Sequence, residues 1–442
     1  MKGFTTFLII TVALSTSLFA QISWNKHTIS DNFDGACSVY AIDVNGDSLV
    51  DVLGTAITAG RIVWWENNGS NPIAWTEQTI DSSFNGACYV YAADVDGDDD
   101  IDVLGSAWYG NEIAMWENDG NNPIQWTKQT IDANFVNAHE VYATDMDGDD
   151  DVDVLGASAG LNEIAWWRND GGNPLEWAKQ TIDSTFAGSR SVYAIDVDGD
   201  SLVDVLGAAY SADDITLWLN NGDATWTKQT IDSSFYGAHM VYACDVDGDD
   251  DVDVLGAAYN DNAIAWWRND GGNPIEWTKQ LIDGNFYGAL GVYATDVDND
   301  NVTDVLGTSD IGDDVAWWHN NDSIPIQWTE QTIDGYFNGA WPVYAEDVDN
   351  DGDTDVLSAA YYADEIAWWE SSLLGIEENR RALIKDYNHS TTIINGPLLL
   401  PEGKKCKVFN IIGREITANQ LAPGIYFIEI DGKIMNKVIK VR

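Results

Sequence analysis

The sequence predicts an all-β fold: a seven-bladed β-propeller closed by its N-terminal strand, followed by a small β-sandwich-like domain. Three observations carry that expectation. An acidic nonapeptide begins at Asp43, Asp94, Asp145, Asp196, Asp245, Asp296 and Asp347, spaced 51 residues apart with a single 49-residue step. Such a period marks one supersecondary unit repeated in space. Around every copy lie short alternating β-rich segments punctuated by Gly, Asn, Asp and Pro, the pattern of an antiparallel meander. The last repeat lacks its fourth segment, and a matching segment stands before the first repeat.

The first twenty residues stand apart from the repeats. Lys2 precedes an apolar run from Phe4 to Leu14, and Leu18-Phe19-Ala20 offers a cleavage site before Gln21. This reads as a secretory signal at residues 1–20. The run is short for a bilayer span of about 20 residues, and no later segment is apolar enough to cross a membrane once the signal is removed.

The repeat is clearest in residues 234–283. Val241–Val246 is expected to be strand A, Asp253–Ala257 strand B, Ile264–Arg268 strand C and Trp277–Ile282 strand D. Strands A to C occur seven times, the last ending at Trp369. Strand D occurs at Trp24, Trp75, Trp126, Trp177, Trp226, Trp277 and Trp328. The strand at Trp24 should therefore complete the last blade and remove an exposed edge. The propeller is assigned residues 21–370.

Each nonapeptide offers side-chain oxygens at positions 1, 3, 5 and 9. These are Asp43, Asn45, Asp47 and Asp51 in the first loop, and Asp94, Asp96, Asp98 and Asp102 in the second. The third has Asp145, Asp147, Asp149 and Asp153, and the fourth Asp196, Asp198, Asp200 and Asp204. The fifth has Asp245, Asp247, Asp249 and Asp253, and the sixth Asp296, Asp298, Asp300 and Asp304. The seventh has Asp347, Asp349, Asp351 and Asp355. Carboxylates alternating along a tight loop suit the oxygen-rich shell of Ca²⁺. His and Cys are absent from these positions, which argues against Zn²⁺ or copper. Gly105 stands where an EF-hand would need its bidentate Glu. The expectation is up to seven structural Ca²⁺ ions.

The DxDGDxxxD loop followed by DVLG resembles the FG-GAP/VCBS repeat family, which also builds the integrin α-subunit head. The similarity spans residues 24–370. It implies a calcium-stabilised propeller in adhesion or recognition, and it supplies no ligand. Gly sits at loop position 4 in most copies and at position 6 only in the seventh, as Gly352.

Nineteen of the 21 tryptophans follow the repeat and read as packing between blades. Trp108, in a B–C connection, and Trp341, just before a strand A, break it. Both are expected on the face opposite the acidic loops. A highly variable repeat position, Cys37, Cys88, His139, Arg190, His239, Leu290 and Trp341, lies on that same face beside the channel. The B–C connections add Tyr109, Tyr210, Tyr259, Tyr361 and Tyr362. A ligand site is assigned to Trp108, Tyr109, His139, Arg190, Tyr210, His239, Tyr259, Trp341 and Tyr361. Aromatic faces beside polar groups suit a sugar ring or a protein loop.

Catalytic signatures are weak. The five histidines are scattered, and the top-face carboxylates Asp213, Asp214, Asp310 and Asp313 form the kind of pair that chance supplies in so acidic a chain. Residues 21–370 hold 9 Lys and Arg against 66 Asp and Glu, a balance of −57, which repels nucleic acid. The four cysteines show no pairing by spacing, so no disulfide framework follows from the sequence.

Residues 371–390 read as a linker, and residues 391–442 as a small β unit with 11 Lys and Arg against 7 Asp and Glu in 371–442. FNIIGREI, LAPGIYFIEI and the basic VIKVR end resemble the type A sorting domain of the type IX secretion system. That resemblance implies the type IX machinery as a partner, and release from the cell or attachment to the outer surface of a bacterial outer membrane.

Overall fold

The computed structural model describes residues 21–223 and 225–374, together with the strands Thr392–Ile394, Cys406–Asn410, Glu415–Ile416, Gly424–Ile430 and Lys433–Lys440. The expected signal at residues 1–20 and most of the expected linker lie outside the described residues. Two compact units are present, Ile22–Ser372 and a C-terminal unit. The described C-terminal strands form one five-stranded sheet, with Lys433–Lys440 parallel to Thr392–Ile394 and antiparallel to Gly424–Ile430.

The larger unit is seven four-stranded sheets. In the first blade, strands A to D are Ala36–Ile42, Asp51–Ala56, Arg61–Asn67 and Trp75–Asp81, paired in that order. In the last blade, Ala340–Glu346, Asp355–Ala360 and Glu365–Leu374 are completed by Gln21–Ser30 at the outer edge, as expected. Lys26 Nζ reaches Glu365 at 3.0 Å, and His27 stacks on Trp368 with centroids 4.5 Å apart. The ring is thus joined by its two ends.

A blade has two apolar faces, so its strands cannot stand alone. Strand period explains how both are covered. The two adjacent aromatic positions of strand C point to opposite sides. Trp64 of blade 1 and Trp116 of blade 2 enter the same core, and Trp166 of blade 3 joins Trp218 of blade 4 in the same way. A Phe from the D–A connection stands edge-on to the second tryptophan, as Phe84 does to Trp116 at 4.9 Å and 89°. The Gly of DVLG makes room: a Cβ on Gly105 would lie 2.8 Å from Ile62 and 3.0 Å from Trp116.

Strand A begins earlier than the alternation suggested. It covers Ala238–Cys244 in blade 5, where Val241–Val246 was expected. The reason is a β-bulge near the start of every A strand. In blade 5 the register jumps between Ala238 and Met240, and His239 is the extra residue. A bulge breaks the alternation on which the sequence reading relied.

Beyond the bulge, the A strands line the channel with one tyrosine each. Tyr40, Tyr91, Tyr142, Tyr193, Tyr242, Tyr293 and Tyr344 form a closed ring, with neighbouring centroids 4.8–5.3 Å apart. Burial pushes their hydroxyls above the usual range for tyrosine.

Glu140 lies above this ring, 6% exposed, and accepts a hydrogen bond from the Val192 N–H at 3.0 Å. Burial pushes its carboxyl up to about 7, against the lowering pull of the Ser191, Val192 and Tyr89 donors. The folded state therefore holds this proton more tightly than the unfolded chain. The cost of ionising Glu140 is absent below about pH 4.5 and complete above about pH 7. Glu140→Gln is expected to gain stability on the wild type across that window, by at most about 3 kcal/mol. Unfolding free energies measured in parallel check this; curves that stay parallel contradict it.

Candidate functional site

The A–B connections form seven similar acidic loops on one face. In the second loop Asp94 folds back over the chain, accepting from the N–H groups of Gly97, Asp98 and Asp99 at 2.8, 3.1 and 3.0 Å. That wrap requires the left-handed region at positions 4 and 6, where Gly97 has φ 76° and Asp99 φ 72°. Loop seven has φ 58° at Asn350 and 91° at Gly352. The shift of Gly from position 4 to position 6 is therefore an exchange between two positions with the same backbone requirement.

Position 9 anchors the loop. Asp102 is fully buried and accepts from Val95 N–H at 3.0 Å and from Asn118 N–H at 2.8 Å. Asn118 is the last residue of strand C, just before the C–D connection, so the C–D and A–B connections share this face. The same pair of bonds holds Asp51, Asp153, Asp204, Asp253 and Asp304. Burial pushes Asp102, Asp153 and Asp253 up to about 7, with the acids at positions 3 and 5 adding to it.

Position 3 is different. Asp96 Oδ1, Asp247 Oδ1 and Asp298 Oδ1 are buried and have no hydrogen-bond partner. One carboxylate oxygen from each of Asp94, Asp96 and Asp102 lies within 4.8 Å of the others, and the groups Asp145, Asp147, Asp153 and Asp196, Asp198, Asp204 repeat this. Orphaned buried oxygens converging with other carboxylates fit a hard divalent cation, and the donors are all oxygen in these loops.

The sixth loop departs from the rest. His319, from strand C, places Nδ1 3.4 Å from Asp304 Oδ1 and 3.5 Å from Asp298 Oδ2. Its hydrogen bond to Asp304 pushes the imidazole above its ordinary range, and burial opposes that. Loop spacing missed this residue because it arrives from the next strand but one. The first, second and seventh repeats place Glu66, Glu117 and Glu370 at the corresponding position.

The opposite face carries the D–A and B–C connections, joined by bonds such as Trp108 N–H to Gly86 O at 2.8 Å and Tyr210 N–H to Gly188 O at 2.9 Å. The seven variable residues are the bulge residues of the A strands. Each bulge turns its residue toward the channel mouth, which is why this position escapes the repeat's packing rule. Trp341 accordingly lies inside strand A of blade 7, Ala340–Glu346, instead of before it.

Eight of the nine expected ligand residues meet there. The Arg190 guanidinium lies 4.8 Å from the Trp108 ring and 5.2 Å from the Tyr210 ring. Tyr210 lies 6.2 Å from Tyr259, whose hydroxyl donates to Asp310 at 3.2 Å. Trp341 stacks on Tyr361 at 6.0 Å and meets His239 at 6.0 Å. His139 is buried beneath them, 5.7 Å from Trp108 and 5.3 Å from His239. Tyr109 is 57% exposed and packs at Gly86, away from the others. Burial and the Arg190 charge lower both imidazoles, His239 to about 3, so both are neutral at pH 7.

The top-face acids have a structural task. Asp213 Oδ1 accepts from Gly237 N–H at 2.7 Å and Asp313 Oδ1 from Gly339 N–H at 3.0 Å, each latching one blade's B–C turn to the D–A turn that leads into the next blade.

The contrast between positions 3 and 9 has a measurable consequence. In chelator, Asp102→Ala is expected to cost about 2–4 kcal/mol, because it strands two buried N–H groups. Asp96→Asn is expected to cost less than about 0.5 kcal/mol there, because no protein donor is lost. Urea melts of both variants check this; equal losses contradict the assignment of position 3 as an open ligand oxygen.

No curated protein matches the chain. The family model for the FG-GAP-like repeat matches residues 43–105, 145–207, 196–256, 245–307 and 296–358, each window running from one acidic loop through strand B of the next repeat. These windows cover more than half of the chain, and the protein belongs to the FG-GAP-like repeat family.

Proposed function

We propose that this propeller is an exported recognition module, stabilised by Ca²⁺ in its acidic loops, that binds a glycan or protein ligand at the aromatic mouth of its channel. The observation that carries the reading is the bulge. Seven near-identical blades diverge at the position that a backbone irregularity turns into the channel mouth, which carries five residue types in seven copies. There the side chains form an aromatic cluster around a single guanidinium. Flat aromatic rings offer apolar faces to the C–H surfaces of a sugar, and Arg190, His239 and Tyr259 supply polar orientation. A small recess of about 20 Å³, room for about one water, lies among them, lined by Cys37, His139, Glu140, His239, Leu290 and Trp341, so a ligand would rest across the mouth.

In the loops, positions 1, 3, 5 and 9 would hold the ion. When bound, it neutralises neighbouring carboxylates and ties strand A to strand B. The residues themselves do the rest: Asp102 fixes the loop to strand C, and Asp94 sets its curvature. The orphaned oxygens of Asp96 and Asp247 support this, as do carboxyls raised by burial and by their neighbours.

The type IX resemblance of residues 391–442 supports export and display at an outer membrane surface, with the secretion machinery as partner. The five-stranded sheet described there suits a small β domain.

Two outcomes are expected. A chelator should lower the melting temperature, and calcium at 100 times its Kd should restore about 2.7 kcal/mol per occupied site; an unchanged melt contradicts structural calcium. On a panel of polysaccharides and surface proteins, Trp341→Ala should lower affinity at least tenfold, about 1.4 kcal/mol, while melting as the parent does. Affinity that survives this change contradicts the site.

A further inference from the structure

We infer that Cys37 and Cys88 form a cross-blade disulfide at the floor of the channel mouth when the chain folds in an oxidising compartment. Their Sγ atoms lie 3.7 Å apart, and each residue is 1% exposed. The sequence could not pair them, because they are 51 residues apart and belong to different blades. The repeat brings them together. Both are bulge residues at the same height of neighbouring A strands, so the ring places one beside the other.

The backbone on both sides is held. Thr55 Oγ1 donates to Cys88 O at 2.9 Å, and Val90 N–H donates to Ser38 Oγ at 3.4 Å. A disulfide requires an Sγ–Sγ distance of about 2.05 Å, so the two sulfurs, 3.7 Å apart, must move closer for the bond to form. Ile57 packs against the pair, with Trp108, Trp341 and Tyr361 beside it. The bond would therefore join blade 1 to blade 2 directly under the aromatic cluster. Within the propeller, Cys244 lies at the other end of strand A of blade 5.

The chemistry is thiol–disulfide exchange with a disulfide-bearing oxidant, either an oxidoreductase or oxidised glutathione. One cysteine thiolate attacks the oxidant's disulfide and releases one thiol. The second cysteine then attacks the mixed disulfide and releases the other thiol. Two S–H bonds break and one Sγ–Sγ bond forms. The two electrons and two protons leave on the oxidant's thiols. Burial and the adjacent Cys88 hold the Cys37 thiol protonated in the finished fold, against the opposing Arg190 charge. Exchange is therefore expected while blades 1 and 2 are closing, before the sulfurs are sealed.

The test is to refold the full chain in a glutathione redox buffer, alkylate in denaturant, and digest without reductant for mass spectrometry. Peptides containing Cys37 and Cys88 should be joined, with Cys244 alkylated. The oxidised protein should melt roughly 5 °C above the reduced protein. The double variant Cys37→Ser, Cys88→Ser should melt identically with and without reductant. The wild-type peptide map needs no variant and decides the matter alone. Alkylation of both cysteines in natively melting protein would overturn the inference. So would linkage of either one to Cys244 or Cys406, or a stoichiometric soft metal ion held by both thiols.

Discussion

Everything in the propeller depends on one arrangement: strand-C side chains of neighbouring blades buried in a shared core between the sheets. A four-stranded sheet with two apolar faces has no layer of its own to cover either. Trp64 with Trp116, Trp166 with Trp218 and Trp266 with Trp318 supply that cover, and the Gly of DVLG makes room for the second indole of its own blade. Because each blade shields its neighbours, an end left open would expose a core. The strand Gln21–Ser30 seals it, which is why the N-terminal strand belongs to the last blade.

This demand for sameness explains what was legible in the sequence. Period, strand order, blade number and ring closure all follow from residues that must repeat, and each could be read. The tyrosine ring was equally repetitive, yet its place in the channel was not inferred, because alternation tells a strand's two faces apart without naming what either face meets. The bulge was invisible for a related reason. An inserted residue shifts the alternation, so Ala238 and His239 looked like connection when they are already strand. His319 escaped because a side chain facing a loop from strand C leaves no trace in the loop's own spacing.

The two ends of the A strands divide the labour. At one end the loops are nearly identical: Asp102 binds two N–H groups and Asp94 three, while Asp96 keeps a buried oxygen open. At the other end the bulge residues are under no shared packing rule. Asymmetry collects there, from paired thiols through two neutral imidazoles to a guanidinium between Trp108 and Tyr210. Even the acids of that face serve the frame, since Asp213 and Asp313 latch blade to blade. A scaffold that repeats everywhere else can discriminate among ligands only where it stops repeating.

Oxidative surface footprinting of the protein with and without its bound ligand tests that division most directly. The account predicts protection at Trp341, Trp108, Tyr210 and Tyr361, with the strand-D tryptophans on the outer rim unchanged. Protection on the acidic-loop face or along the outer strands, with the channel mouth still reactive, would contradict it.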